Sequence, residues 1–291
     1  MSTYIRILIA LIVLGLPSCS SSENSKGQAI SQPVADATKT LKTLKILNWN
    51  VLYGFNHGNS IDAGCNWIRD QAPDVVALQE LNGNTAASLT EKAAVWGHQY
   101  SAIHKEKGFP VGLSSTAPIE VIERVVKGFH HGYLHCKTHD IHFFVVHFWP
   151  KKDHEAVAII EKIKPLLDAN QKVVVLGDFN THSHNDAGFL ANSGKVEPLY
   201  EVVEMFESIG FVDLIYKHDP EAKFSFPSPI TIPKWSASIE ELNSKRQRID
   251  FIFADKTLAS NSGSAKILIS DELDAISDHY PVVVEFNVEN H

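Results

Sequence analysis

Residues 173–184, VVVLGDFNTHSH, constrain the fold more than any other stretch of the chain. The four apolar residues that open it predict a buried strand, which ends at Gly177. Asp178, Asn180, His182 and His184 then follow within seven positions. Ligands of α/β proteins bind beyond the carboxyl ends of the strands, so this pattern predicts a site here. A strand that runs into an ordinary solvated loop would have the same pattern, and the rest of the chain must decide between the two.

Short β-branched runs and longer helical stretches alternate along the chain, without an internal repeat. The alternation predicts strands at residues 44–49, 75–79, 99–104, 111–114, 119–126, 132–137, 141–147, 173–177, 248–254, 266–270 and 282–286. Helices are predicted at residues 61–71, 85–96, 154–169 and 198–209, with Ser60 as a cap and Gly210 after the last helix. This order indicates an α/β fold of two mixed β-sheets with helices outside. Residues 227–247 match no regular pattern and predict a surface insertion that carries specificity.

The first 19 residues have the pattern of a secretion signal. Arg6 precedes an apolar run over residues 7–16 that is too short for a stable membrane span. The LPSC sequence ending at Cys19 is similar to a bacterial lipoprotein cleavage box, so we expect a lipid-anchored protein of the cell envelope, in the outer membrane or facing the periplasm. Ordinary cleavage and release of a soluble protein is the alternative. Residues 20–40 predict a flexible tether, and residues 41–291 predict a single domain.

The formal net charge of −8 at pH 7 bears on the partners of the chain. A negatively charged protein repels polyanions at long range, so nucleic acid is a possible partner that the charge does not favour. Cys65 and Cys136 are the cysteines of the predicted domain, and we expect two buried thiols, although an oxidising compartment could join them. We also expect a monomer.

Polar side chains stand at or near the ends of several predicted strands. Asn50 and Glu80 each follow an apolar run, and His147 ends a strand that is otherwise apolar. A lone carboxylate at such a position is commonly a helix cap or a solvated turn, so no single position is decisive. Asp250 has a stronger case, because an unpaired charge inside an apolar run is costly and a protonated histidine is its natural partner.

Four short motifs together resemble the endonuclease/exonuclease/phosphatase family. They are LQE at residues 78–80, GDFN at 177–180, RID at 248–250 and SDHYPV at 277–282. The resemblance extends from about residue 44 to residue 286. It implies the DNase-like four-layer α/β sandwich, with two mixed β-sheets packed face to face and helices outside. It also implies an enzyme, a metal-dependent hydrolase of phosphoester bonds.

The resemblance implies a metal site as well. Glu80 corresponds to the principal magnesium ligand of the family, Asn50 to the asparagine beside it, and Asp278 to a carboxylate that faces the same metal. Oxygen donors suit Mg²⁺, which is a hard cation that keeps several waters. We therefore expect Mg²⁺ as the cofactor, with Mn²⁺ as a possible substitute.

The catalytic roles come from the same resemblance. Asp178 corresponds to the aspartate that orients or deprotonates the attacking water, and Asn180 to the amide that steadies the phosphoryl oxygens. Asp250 corresponds to the partner of the essential histidine, here His279. His147 corresponds to the histidine that contacts the phosphate or protonates the leaving oxygen. A carboxylate beside His279 would raise its pKa and keep the imidazolium available near neutral pH.

The remaining histidines have no assigned role. His182 and His184 could begin a zinc site, but two ligands do not make one, and we interpret them as substrate-side loop residues or as ordinary surface residues. A second group precedes His147, and strand alternation would distribute it over both faces of a hairpin. We predict that this group is not catalytic; it comprises His130, His131, His135, His139 and His142.

The favoured interpretation is an exported metal-dependent hydrolase of a modest-sized phosphodiester or phosphomonoester. An extracellular nuclease is the alternative among enzymes, and few basic pairs support it. A lipid hydrolase would need exposed aromatic loop tips, which Trp149 and residues 233–235 could supply. A catalytically inactive lipid-tethered binding protein is the alternative of another class, and the complete set of site residues argues against it.

Overall fold

The computed structural model describes residues 41–193 and 196–289, and their strands form two six-stranded sheets. The first sheet contains β1 Leu41–Asn50, β2 Val75–Gln79, β3 Tyr100–Ile103, β4 Gly112–Ser115, β11 Ser262–Ile267 and β12 Val282–Glu289. The second contains β5 Glu120–Val125, β6 Tyr133–Thr138, β7 Ile141–His147, β8 Lys172–Asp178, β9 Val212–Asp213 and β10 Asp250–Ala254. The strand orders are β11-β12-β1-β2-β4-β3 and β5-β6-β7-β8-β10-β9.

The two sheets have the same pattern of strand directions. In each sheet the two central strands are parallel, β1 with β2 and β7 with β8. Every other pairing is antiparallel. Both sheets are therefore mixed, as predicted. Each has one parallel pair, whose carboxyl ends are where a ligand site is expected.

Eight α-helices and three apolar cores complete the layers in the described ranges. The helices are α1 Ile61–Gln71, α2 Ala86–Val95, α3 Asp153–Asp168, α4 Ala187–Ser193, α5 Glu201–Ser208, α6 Leu214–His218, α7 Ile239–Asn243 and α8 Lys256–Ser260. One core joins the facing sides of the two sheets. A second packs α1 and α2 on the outer face of the first sheet, and a third packs α3 and α5 on the second sheet. The four-layer α/β sandwich predicted from the sequence is confirmed.

The sequence pattern does not predict several of the short elements. β9 has two residues, and α4, α6, α7 and α8 have five to seven each, which is too short for a clear hydrophobic period. The insertion at residues 227–247 was expected to lack regular structure, and this was wrong in part. It contains α7 and a short 3₁₀ turn at Pro229–Thr231, and Leu242 of the insertion is fully buried.

Cys65 in α1 and Cys136 in β6 are both buried and free, which confirms the prediction of two buried thiols. The predicted signal, Cys19 and the tether lie outside the described residues. None of the described helices has the length and apolar character needed to cross a membrane.

Candidate active site

His147, Asp178 and Asp250 lie side by side on three neighbouring strands of the second sheet. In the strand register His147 pairs with Asp178, and Asp178 pairs with Asp250. Each lies two residues along its strand from a core residue between the sheets, namely Val145, Leu176 and Ile252. Because strand side chains alternate, the three polar residues face the same side as those core residues. This part of the site is therefore the polar end of the inter-sheet core.

Asn50 and Glu80 come from the matching end of the first sheet. Asn50 is the last residue of β1, and Glu80 follows β2. Alternation would turn Glu80 outward, but its backbone has a left-handed φ of 57°, which is uncommon for a residue other than glycine. Its Oε2 accepts a hydrogen bond from the Tyr53 backbone N–H at 2.9 Å, and its Oε1 accepts one from the Asn50 amide at 3.3 Å. The backbone turn thus brings the Glu80 carboxylate to Asn50.

The two sheets are joined through Asp178, Asp250 and His279. Asn50 Nδ2 donates to Asp178 Oδ2 at 3.0 Å, and His279 Nδ1 lies 2.8 Å from Asp250 Oδ2. The same Asp178 oxygen lies 3.7 Å from His279 Nε2 and 3.4 Å from His147 Nε2. His279 therefore lies between two carboxylates, one at each ring nitrogen. All five predicted residues in this cluster meet at one point.

Burial and neighbouring charges shift the pKa values of this cluster in opposite directions. Burial alone would lower the pKa of His279, but the carboxylates of Asp250 and Asp178 reverse this and hold it well above 6.5. Burial raises the pKa of Asp178 to about 7, against the opposing effect of His279. Burial and the nearby imidazoles of His131 and His279 lower the pKa of His147 well below 6.5. Near neutral pH the cluster therefore holds a charged His279, a neutral His147 and a partly ionised Asp178.

Gly177 and Asn180 set the backbone around Asp178. Gly177 has a φ of 152°, and a Cβ there would lie 2.0 Å from the carbonyl oxygen of Val146 on the adjacent strand, so no other residue fits. Asn180 has a left-handed φ of 47°. Its backbone N–H donates to Asp178 Oδ1 at 3.0 Å, and its Nδ2 donates to the Phe148 carbonyl at 3.0 Å. The GDFN turn therefore fixes the position of the Asp178 carboxylate through the backbone N–H of Asn180.

The predicted metal ligands fit a cation in part. Glu80 and Asp278 line the same cavity, and burial raises the pKa of both, with Asp278 adding to the shift at Glu80. A bound cation would offset both effects, and carboxylate oxygens suit Mg²⁺. Asn50 directs its amide N–H groups to Glu80 and Asp178, while its Oδ1 accepts from the Leu52 N–H at 3.1 Å. Ligation of a metal by Asn50 stays a prediction.

A second group of metal-ligand types is present in the same place. Asp178, Asp250 and His279 have ligand atoms within 4.8 Å of one another, and no other such group of three occurs among the residues described. His279 is already paired with both carboxylates, so a cation between them would have to displace its proton. The carboxylates of Glu80 and Asp278 are the better candidates for a metal.

The model of the endonuclease/exonuclease/phosphatase family matches residues 47–279, which is more than half of the chain. The chain belongs to this family.

Solved structures of other proteins have the same fold. An AP endonuclease from Archaeoglobus fulgidus superposes with a TM-score of 0.68 at 20% identity, over 84% of this chain and 100% of that chain. A 3′ phosphatase from Neisseria, bound to a product DNA hairpin, superposes with a TM-score of 0.64 at 19% identity, over 84% of this chain and 100% of that chain. A 3′–5′ exonuclease from Neisseria meningitidis gives 0.61 at 19% with the same coverage. No match occurs among curated proteins.

Two histidines of the GDFNTHSH turn have different surroundings in this member of the endonuclease/exonuclease/phosphatase family. His182 is buried, and its Nε2 lies 2.7 Å from Oε1 of Gln247, while its Nδ1 accepts from the Leu199 N–H at 3.0 Å. His182 therefore holds Gln247, which lines the same cavity as Asp178. His184 is exposed and pairs with Glu204 at 2.5 Å. No zinc site is formed by the two in the described structure.

Two of the histidines before His147 lie outside the strands of the hairpin, and the expectation that the group is not catalytic stays a prediction. His130 and His131 precede β6, so strand alternation does not apply to them. The His131 ring stacks on the His147 ring with centroids 4.2 Å apart, and His131 is buried with its Nε2 unpartnered among the described residues. The sequence signal was Gly132, which has a φ of 89° and so separates this pair from the strand. Endonuclease/exonuclease/phosphatase family motifs did not reveal either residue.

Proposed function

We propose that the protein is an exported, metal-dependent hydrolase of phosphoester bonds, acting by in-line attack of an activated water. Membership of a phosphoesterase family supports the reaction class. The observation that carries the proposal is the pairing of His279 with Asp250 at 2.8 Å beside Asp178. A binding protein would have no need for a buried imidazolium held between two carboxylates, because burying charges costs free energy.

Each side chain of the cluster has a chemical task in this proposal. Asp178, with its pKa raised to about 7 by burial, takes a proton from the attacking water near neutral pH. His279 is held in its charged form by Asp250 and donates to the phosphoryl oxygens as negative charge develops there. His147 is neutral and adjacent, so it can donate a hydrogen bond without adding a second positive charge.

A divalent cation, when bound at Glu80 and Asp278, would supply positive charge to a phosphoryl oxygen as a Lewis acid. Asn50 orients the carboxylates of Glu80 and Asp178 through one amide group. That shared amide couples the predicted metal side of the site to the predicted base.

An extracellular nuclease is the second candidate. The solved structures of similar fold include an AP endonuclease and a 3′ phosphatase bound to a DNA hairpin, which favours this candidate. The net charge of −8 opposes it. We retain the smaller phosphoester as the favoured substrate class.

Hydrolysis of bis(p-nitrophenyl) phosphate and of p-nitrophenyl phosphate by the chain from Ser20 onward would test the proposal, with Mg²⁺ and with chelator. Asp178→Asn and His279→Gln should each lower kcat by roughly 10²- to 10⁴-fold. His184→Ala is a matched control in the same loop, because His184 is exposed and outside the cluster. Full activity in chelator would contradict metal dependence, and near-normal activity of Asp178→Asn would contradict the catalytic assignment.

Export is tested separately. We infer a lipid anchor from the LPSC sequence at residues 16–19, and Cys19→Ala should move the protein from the membrane fraction to the soluble fraction of a bacterial host. Labelling with a radioactive fatty acid should be lost in the same variant. A wild-type protein that is soluble and unlabelled would instead support ordinary secretion.

A further inference from the structure

On one side of the active-site cavity, a series of packed aromatic rings connects the cavity wall to the reacting cluster. Trp235, in the insertion, packs edge-on against Phe226 with ring centroids 5.7 Å apart. Phe226 in turn lies 4.7 Å from the His279 ring. Phe226, the residue before the insertion, therefore contacts both Trp235 and the imidazole that pairs with Asp250.

A second set of rings reaches the same cluster through His147. Trp149 stacks on His130 with centroids 4.2 Å apart, and His130 packs edge-on against His131 at 4.5 Å. His131 stacks on His147 at 4.2 Å. His147 and His279 each lie within 4 Å of the same oxygen of Asp178, at 3.4 and 3.7 Å. The two sets of rings therefore converge on Asp178.

The outer ring of each set keeps surface free for a ligand. Trp149 is 45% exposed and Trp235 is 53% exposed, and both line the cavity of about 980 Å³ that contains Asp178. A cavity of this size is at the upper end of the range that encloses a drug-sized molecule. Apart from the charged His279, the cations in its lining are Lys234 and Lys245, and Lys245 is bonded to the Trp235 carbonyl. The walls beyond the reacting cluster are thus more suited to rings than to phosphates.

Both ring sets are held in place by hydrogen bonds to buried residues. Glu155, at the start of α3, accepts from the His130 N–H at 2.6 Å. Ser228 Oγ donates to the Ser277 carbonyl at 2.6 Å, and the Ser228 N–H donates to the Asp278 carbonyl at 2.8 Å. The insertion is therefore bonded to the segment that carries His279. Rings fixed in this way bind a ligand at a smaller cost in conformational entropy.

We propose that Trp149 and Trp235 are specificity-determining residues that bind a flat ring carried on the substrate beside the scissile phosphoester bond. The inference rests on the proposed phosphoester hydrolysis and names the substrate class of the same site, a phosphodiester with a ring-bearing substituent. Stacking of a base on an aromatic side chain changes affinity by roughly 5- to 150-fold when the side chain is replaced by alanine. Both tryptophans offer such a surface in the cavity that contains Asp178.

Two substrates with the same leaving group isolate the effect of the ring. Bis(p-nitrophenyl) phosphate has an aryl group on the oxygen that does not leave, and methyl p-nitrophenyl phosphate has a methyl group there. The ratio of their kcat/KM values should fall about 5- to 150-fold in Trp149→Ala or in Trp235→Ala. Trp149→Phe and Trp235→Phe keep a flat ring and should retain most of the ratio. Ile239→Ala is the control, because Ile239 is 52% exposed in the insertion and lies outside the cavity lining.

The outcomes separate this inference from the proposed function. If both esters are hydrolysed and neither alanine variant changes the ratio of their kcat/KM values, the proposed binding of a ring by the tryptophans is overturned and the proposed phosphoester hydrolysis stands. Absence of hydrolysis of either diester by the wild-type chain would overturn the inference, and the proposed function would be overturned with it only if p-nitrophenyl phosphate is not hydrolysed either. A fall in the ratio that the phenylalanine variants reverse would support the ring site, since a general loss of folding would lower both rates.

A second arm identifies the source of the ring. Inhibition of methyl p-nitrophenyl phosphate hydrolysis by thymidine 5′-phosphate is compared with inhibition by deoxyribose 5-phosphate, which lacks the base. Stronger inhibition by the nucleotide, lost in the tryptophan variant that lowers the ester ratio, would support the proposal with a nucleobase as the ring. Equal inhibition together with a lowered ester ratio would support it with an aryl group of another kind.

Discussion

Replacement of Asp250 by Asn tests whether the buried carboxylate keeps His279 charged. Asparagine has nearly the same shape and removes the negative charge 2.8 Å from His279 Nδ1. Asp250 is 1% exposed, so water cannot take the place of that charge. The variant therefore isolates the electrostatic effect of one group on one imidazole.

The expected shift follows from the strength of the bond that is lost. A hydrogen bond to a charged group contributes roughly 1.5–3 kcal/mol, which corresponds to roughly 1–2 pKa units. Burial opposes the charge of His279 and is no longer balanced by Asp250 in the variant, although Asp178 remains 3.7 Å away. The pKa of His279 should fall by at least about one unit, and kcat/KM near neutral pH should fall by roughly 10²- to 10⁴-fold.

The pKa shift also predicts the sign of the effect on stability. The pKa of His279 is raised above 6.5 in the folded chain, so its ionisation stabilises the fold fully below pH 6.5. That contribution disappears as the pH rises through the raised value. The difference in free energy of unfolding between wild type and Asp250→Asn should therefore be largest below pH 6.5 and should shrink at higher pH.

Histidine-selective NMR titration measures the shift directly, and hydrolysis of an activated phosphodiester measures its consequence. Ser225→Ala is a matched control, because Ser225 Oγ donates to the same Asp250 oxygen at 2.7 Å and its loss leaves the charge in place. The control should change the pKa of His279 less than Asp250→Asn does. An unchanged His279 titration in Asp250→Asn, or a kcat/KM within about threefold of wild type, would refute the reasoning.

Three further predictions concern the metal, the buried ion pairs and acid. Glu80→Gln should weaken Mg²⁺ binding in titration calorimetry, and an unchanged affinity would remove Glu80 from the ligand set. Arg248 bonds Asp186 at 2.8 Å and Asp213 at 2.6 Å while 1% exposed, so Arg248→Met should lower the urea-measured free energy of unfolding by about 3–5 kcal/mol. Burial lowers the pKa of His135 to about 4 in the folded chain. As the pH falls from 6.5 to about 4, the unfolded chain therefore binds a proton that the folded chain does not, and the free energy of unfolding decreases. His135→Gln should reduce this acid loss by up to about 3 kcal/mol, and an identical acid profile would contradict it.

The polar positions of the site could be predicted because motifs and strand ends coincide. Asp178 and Asp250 each continue the inward side of an apolar strand, so alternation and the family resemblance point to the same residues. Its place after an apolar run and the LQE motif both pointed to Glu80, but alternation would have turned it outward, and its left-handed backbone is not readable from an apolar run. The alternation of apolar residues therefore indicates where the inter-sheet core ends. The LQE motif indicates Glu80, whose side chain departs from that alternation.

The aromatic walls could not be predicted in the same way. Trp149 was considered as an exposed loop tip, but its contact with His130 depends on a loop held by Glu155, which is distant in sequence and buried. Trp235 reaches the cavity because Ser228 bonds the insertion to the segment of His279. These contacts join residues tens of positions apart through one or two hydrogen bonds each, and no local pattern encodes them.

The relative position of the two sheets is what brings the candidate site together. The second sheet contributes His147, Asp178 and Asp250. In the first sheet, Asn50 is the last residue of β1, and His279 precedes β12. The apolar core between the sheets sets their spacing, and the bonds from Asn50 to Asp178 at 3.0 Å and from His279 to Asp250 at 2.8 Å cross that spacing. An increase of about 1 Å in that spacing, directed along the two bonds, would lengthen both beyond hydrogen-bond range. The inter-sheet core therefore acts on the chemistry as well as on stability, because the charged state of His279 depends on a distance that the core fixes.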